Sequence, residues 1–171
     1  MATDPVAGTP VFSKSATLTI TPPVPTLDPS LQGKYQISSM VVNLLGGGNM
    51  TVPLTSTAQA YTVTLGPTGL AGAAASVEAS ILKFAGVTTA PKITVTSATP
   101  TTYNATVSGT AAYNDSSIGS VSLKSISGTI VGNLVTPGTI TVTTNITGTA
   151  SVLGIPLPGS TLALIVVLTK E

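Results

Sequence analysis

From Pro91 onward the chain follows one rule: apolar and hydroxylated residues alternate. Ile93-Thr-Val-Thr96 and Ile140-Thr-Val-Thr143 are the clearest stretches. A period of two sends successive side chains to opposite faces of a strand, and β-branched residues suit that pleated surface. The pattern predicts strands over Lys92–Ser97, Thr102–Tyr113, Val121–Leu134, Gly138–Val152 and Leu162–Thr169. They are separated by Asn114-Asp-Ser-Ser117, Pro137-Gly138 and Gly154-Ile-Pro-Leu-Pro-Gly159. The last run, Leu162 to Leu168, is apolar on both faces and so belongs in the middle of a sheet. A weak repeat, Ser108-Gly-Thr, Ser127-Gly-Thr and Thr147-Gly-Thr, recurs about once per hairpin. It fits a meander or a β-solenoid.

The preceding part of the chain is more mixed. Tyr35 to Leu45 alternates in part and stops at Gly46-Gly-Gly-Asn49; Asn49–Leu54 and Ala58–Leu65 follow as short strands. Leu70, Ala74, Val77, Ile81 and Phe84 recur at steps of four and three, which predicts one helix over Leu70–Ala85 with Gly86 as its stop. The whole reads as mainly β: an antiparallel, jelly-roll-like β-sandwich of about eight or nine strands with one short helix, over residues 31–171. Residues 1–30 read as a separate N-terminal arm.

Composition narrows the chemistry. The 171 residues include 31 Thr and 18 Ser but no His, Cys, Trp or Arg, and the net charge is +1. That set offers no ordinary zinc, haem or iron–sulfur ligands and no Ser-His or Cys-His nucleophile. It also offers no basic surface for nucleic acid. The reading is therefore a non-enzyme without cofactor or metal. The longest apolar run is seven residues, against the roughly 20 that span a bilayer as a helix. Met1-Ala-Thr-Asp-Pro5 has neither a basic nor an apolar leader segment, so no signal peptide is expected. The Ser/Thr/Gly-rich, charge-poor character still points to an extracellular or cell-surface setting.

Four of the six Asn stand in N-x-[ST] triplets, Asn49, Asn104, Asn114 and Asn145, against about two by chance. These are candidate glycosylation sites, with glycans as candidate partners. Gly46-Gly-Gly-Asn49 lacks the Lys-Ser/Thr of a phosphate loop and reads as a hairpin. The five carboxylates, Asp4, Asp28, Glu78, Asp115 and Glu171, are spread along the chain and read as solvated charges. The repeated Thr positions offer an array that binds ice or a sugar surface, or else simply an outward strand face.

The arm carries the most specific signal. Ala16-Thr-Leu-Thr-Ile-Thr21 alternates strictly, and Thr21-Pro-Pro-Val-Pro-Thr-Leu-Asp-Pro29 follows as a stiff polyproline-like spacer. A strand held off its own domain in this way is free to pair with a neighbour's. In this combination of arm, spacer and charge-poor β body the chain resembles the extracellular filament subunits of archaea and bacteria that polymerise by donor-strand complementation, such as archaeal bundling pili and TasA-like biofilm fibres. The resemblance implies a head-to-tail homopolymer in which Phe12, Ala16, Leu18 and Ile20 of one subunit enter a groove of the next. A surface-binding β-sandwich module, adhesin- or lectin-like, and a viral or cell-surface coat protein are the rival classes.

Overall fold

The structure, a computed structural model, describes residues 23–44, 49–51, 61–115, 119–135 and 138–171. Among them lie nine strands and one helix: β1 (Gly33–Leu44), β2 (Asn49–Thr51), β3 (Thr62–Leu65), α1 (Leu70–Phe84), β4 (Val87–Thr89), β5 (Lys92–Ala98), β6 (Thr102–Asp115), β7 (Gly119–Val135), β8 (Thr139–Val152) and β9 (Ile155–Lys170). The fold is mainly β, antiparallel and sandwich-like, as the alternation predicts. The strands form one continuous curled sheet in the order β2-β1-β9-β8-β7-β6-β4, with β3 also on β1 and β5 also on β6.

β6 to β9 run as an up-and-down meander, and β9 lies between β8 and β1. The strand with apolar residues on both faces is thus a central one, as its sequence requires. The alternation sorts side chains as expected: Ile140, Val142 and Thr144 of β8 are buried while Thr139, Thr141 and Thr143 stay half-exposed. The inward face packs on α1, which touches β3 near one edge of the sheet and β4, β5 and β6 near the other. Tyr35, Leu65, Val77, Tyr103, Ile140 and Leu168 are among the fully enclosed side chains of this core.

The helix ends within one residue of its expected limit. Leu70, Ala74, Val77 and Ile81 are buried, and Phe84 meets Tyr61 edge-on at 5.5 Å. No side chain caps its N-terminus; the Leu70 N–H instead donates to the Pro100 carbonyl at 2.9 Å. Before it, Leu27 is buried and its N–H donates to Pro67 O at 2.7 Å. A single 3₁₀ turn follows over Pro29–Leu31, capped by Asp28, which accepts from the Ser30 N–H and hydroxyl.

The Ser/Thr-Gly-Thr repeat is a meander signature. Ser108 pairs with Ser127 and Ser127 with Thr147, so the repeat forms one row across three strands, which Thr161 of β9 extends to a fourth. Each ladder also breaks register beside that row: between Gly109 and Ala111, between Lys124 and Ser127, and between Gly148 and Ala150. Aligned bulges bend neighbouring strands together and deepen the twist, which creases the sheet here. Gly128 sits in the crease because a Cβ there would lie 2.2 Å from the Asn145 carbonyl oxygen.

Besides Leu27, read into the separate arm but buried in the core, and Asn114 and Asp115, read as a turn but paired in β6, three features depart from the sequence reading. β4 was not expected; three residues with no alternation to reveal them pair with the end of β6. β9 begins at Ile155, inside the Pro-rich stretch read as a separator. Pro156 is tolerated because β9 pairs there with β8 alone; its pairing with β1 starts only at Leu162. The third is Glu78, read as solvated but 5% exposed.

Candidate functional site

Among the described residues the sheet curls but does not close on itself, so it leaves two edges. At the first, β1 carries β3 along Gly33–Gln36 and β2 along Val41–Asn43. The inward residues of β3, Val63 and Leu65, are 3% and 1% exposed beneath α1. At the second edge β5 lies on β6, with Ile93 opposite Val107 and Val95 opposite Ala105. Val107 and Ala105 are buried, yet Val95 is 39% exposed and Ile93 half-exposed. α1 therefore reaches β5 but leaves Val95 bare on it. Lys92 carries the one charge of β5, and no strand among the described residues pairs with β5 on its far side.

The outward face of the central strands is a second surface. Thr139, Thr141 and Thr143 of β8 stand between Val135, Asn133 and Val131 of β7 and Thr169, Val167 and Ile165 of β9. None of these nine residues carries a charge, and Val131, Val135 and Ile165 are exposed. At the crease this face sinks into a depression of about 570 Å³, lined by Asn43, Thr129, Asn145, Thr147, Thr161 and Ala163 among others.

The four Asn candidates fall in different places. Asn145 is exposed in the depression, and its sequon partner Thr147 donates to Ser127 O at 3.1 Å. Asn104 is exposed two strands away, with Nδ2 donating to Ser97 Oγ at 3.0 Å. Asn114 is exposed near the end of β6, and Asn49 pairs with Asn43 at the sheet margin. The arm residues Phe12, Ala16, Leu18 and Ile20 lie outside the described residues.

Glu78 is the polar feature that sequence reasoning missed. It projects from α1 into the core, where Tyr103 donates a hydrogen bond to its Oε1. Burial pushes the carboxyl upward from its ordinary value, and the Tyr103 hydrogen bond partly opposes that. Burial likewise drives the Tyr103 hydroxyl up, reinforced by the charge of Glu78 and by their hydrogen bond. The signal was present in the spacing: Glu78 stands one turn after Ala74 and one turn before Ile81, on the apolar stripe itself. Its partner came from a distant strand, which spacing along α1 does not show.

Among the described residues no helix is long and apolar enough to cross a membrane, and no three metal-ligating side chains gather. In comparisons with known proteins, no family model, no curated protein and no solved structure matches the chain.

Proposed function

We propose that the protein is a structural subunit of an extracellular filament, polymerising head-to-tail as the N-terminal arm of one copy adds a strand to the sheet of the next. The observation that carries this reading is an antiparallel sheet left with open edges among the described residues, in a chain whose residues 16–21 alternate strictly before a proline spacer. Strand addition draws affinity from main-chain hydrogen bonds and register from alternate side chains. A head-to-tail contact of this kind propagates instead of closing. The near-zero net charge offers little repulsion between copies.

Negative-stain microscopy and sedimentation of the purified protein test the reading. The full chain should form filaments, and a chain lacking residues 1–21 should stay monomeric. Leu18→Asp with Ile20→Asp should behave like the deletion, since two carboxylates would enter an apolar groove in a chain with no Arg. Thr17→Asp and Thr19→Asp, on the opposite face of the arm, should still assemble. A deletion variant that polymerises as well as the full chain removes the mechanism.

A surface-binding module is the second reading, favoured by the uncharged outward face and its Asn/Thr-lined depression. It predicts retention of the monomer on an insoluble polysaccharide, weakened by Thr129→Glu.

A further inference from the structure

We propose that the acceptor for the arm is the β5 edge, Lys92–Ala98, of a second copy, with Leu18 and Ile20 covering Val95 and Ile93. This rests on the filament reading and names the surface that the reading leaves open. The two edges of the sheet differ in one decisive way. Val63 and Leu65 at the β3 edge are already sealed by α1, so a further strand there would find no bare apolar surface. At the β5 edge Val95 stays 39% exposed beside a neighbour, Ala105, that is 2% exposed. The inward face of β5 is thus only partly covered, with α1 reaching the strand and Val95 left open.

An extended segment laid along β5 would supply that cover. Its alternate apolar residues would fall on the face of Ile93 and Val95, and its threonines beside Thr94 on the outward face. Ala16, Leu18 and Ile20 have that spacing, with Thr17, Thr19 and Thr21 between them. Antiparallel pairing sets Leu18 opposite Val95, Thr19 opposite Thr94 and Ile20 opposite Ile93. It also keeps Lys14 and Lys92 at opposite ends of the ladder, whereas parallel pairing brings the like charges together.

The anchoring of the chain selects a second copy as the donor. Leu27 is tied to Pro67, and Leu70, just beyond it, is tied to Pro100 in the turn after β5. A molecule's own arm therefore leaves close to the Ala98 end of its own β5. To pair antiparallel with that strand, Thr21 would have to reach the Lys92 end, about 20 Å further on at strand spacing. The six steps from Thr21 to Leu27 span roughly 19 Å in polyproline geometry. The molecule's own arm would have to run taut from Leu27 to pair antiparallel with its β5, a restraint that the arm of a second copy does not carry.

The protein contains no cysteine, so introduced ones report alone. Thr19→Cys in one preparation is mixed with Thr94→Cys in another under mild oxidation, with Thr64→Cys on β3 as the competing acceptor. Thr94 and Thr64 are both exposed. Directly opposed residues lie about 4.5–5.5 Å apart at Cβ, close enough to bridge. The expected result is a covalent heterodimer of Thr19→Cys with Thr94→Cys, and none with Thr64→Cys, in samples that show filaments by microscopy. Filaments whose Thr19→Cys subunits link to Thr64→Cys overturn the β5 assignment and leave the filament reading standing. A Thr19→Cys/Thr94→Cys double variant that bridges only within one molecule overturns the choice of a second copy. Absence of filaments from the unsubstituted protein removes the filament reading itself, and this assignment with it.

Discussion

Glu78 is the residue whose ionisation the fold resists. Its carboxyl is enclosed between α1 and β6, and Tyr103 is the donor that meets it. Because burial raises its pKa on folding, the folded state holds the proton at a pH where the unfolded chain has released it. The contribution of this group is complete below the ordinary value of 4.5 and is lost as pH rises from there through the folded pKa. Asp28, held below 3.8 by Ser30, acts in the opposite sense and at lower pH, so the window above 4.5 belongs to Glu78. Glu78→Gln keeps a polar partner for Tyr103 and cannot ionise. Calorimetry on the unassembled chain should show wild type losing melting temperature from pH 4.5 to pH 8 and the Gln variant losing less. An identical pH slope in both would refute this account. Tyr103→Phe should cost about 1–3 kcal/mol, the penalty of stranding a buried polar group, and should steepen the slope.

At the scale of elements, the crease across β6, β7 and β8 sets the curvature of the sheet. Gly128 is its tightest point, since the atoms a Cβ would strike are backbone: the Asn145 carbonyl oxygen at 2.2 Å and Ile146 Cα at 2.9 Å. Neither moves unless β7 and β8 part. Gly128→Ala should therefore cost about 1–3 kcal/mol, as overpacking does. Gly66→Ala, with nothing within 4 Å of the added carbon, should change stability little. Denaturant midpoints of the two variants, with unchanged m-values, would check the contrast. The elements themselves were largely legible. Alternation marked β5 to β8, and the 3–4 spacing marked α1 to within a residue, because each period is a local property of the chain. The crease was not legible, although its Ser/Thr-Gly-Thr letters were. A bulge exists only relative to a partner strand, and the pairing register is not written in either strand alone. The same holds for Pro156, which reads as a breaker until β9 is seen to lack β1 beside it.

For the whole molecule, the proposed assembly by strand addition would tie stability to concentration. Binding that occurs only to the folded state raises the melting point by mass action. The full chain should melt at a temperature that climbs with protein concentration and lies above the roughly 45–65 °C range of ordinary mesophilic domains. A chain lacking residues 1–21 should melt lower and show no such dependence. Coincident, concentration-independent melting of the two would count against assembly through the arm. The donor segment we propose rests on the alternation of residues 16–21 and the stiff spacer after them. The acceptor edge we propose could not be named from the sequence. Which edge stays uncovered depends on where α1 lies, and that is fixed by Leu70, Val77 and Ile81 meeting strands far away in the sequence.

The position of β9 has a consequence for how such a chain comes into being. β9 joins β1 to β6–β8, and Ser38 reaches the Val167 carbonyl across 129 residues of sequence. During synthesis from the N-terminus, the hairpins of β6 to β8 have their partners at hand within a few tens of residues. Among the described residues β1 has only the two short strands β2 and β3 until β9 has been made. The two halves of the sheet thus meet through the strand that emerges after all the others, and loop closure over such a span is slow. A chain whose β9 has not yet formed carries an unsatisfied β1 edge, open to the β1 of any neighbour in the same state. The formation of β9 therefore sets the time at which the two halves of the sheet join.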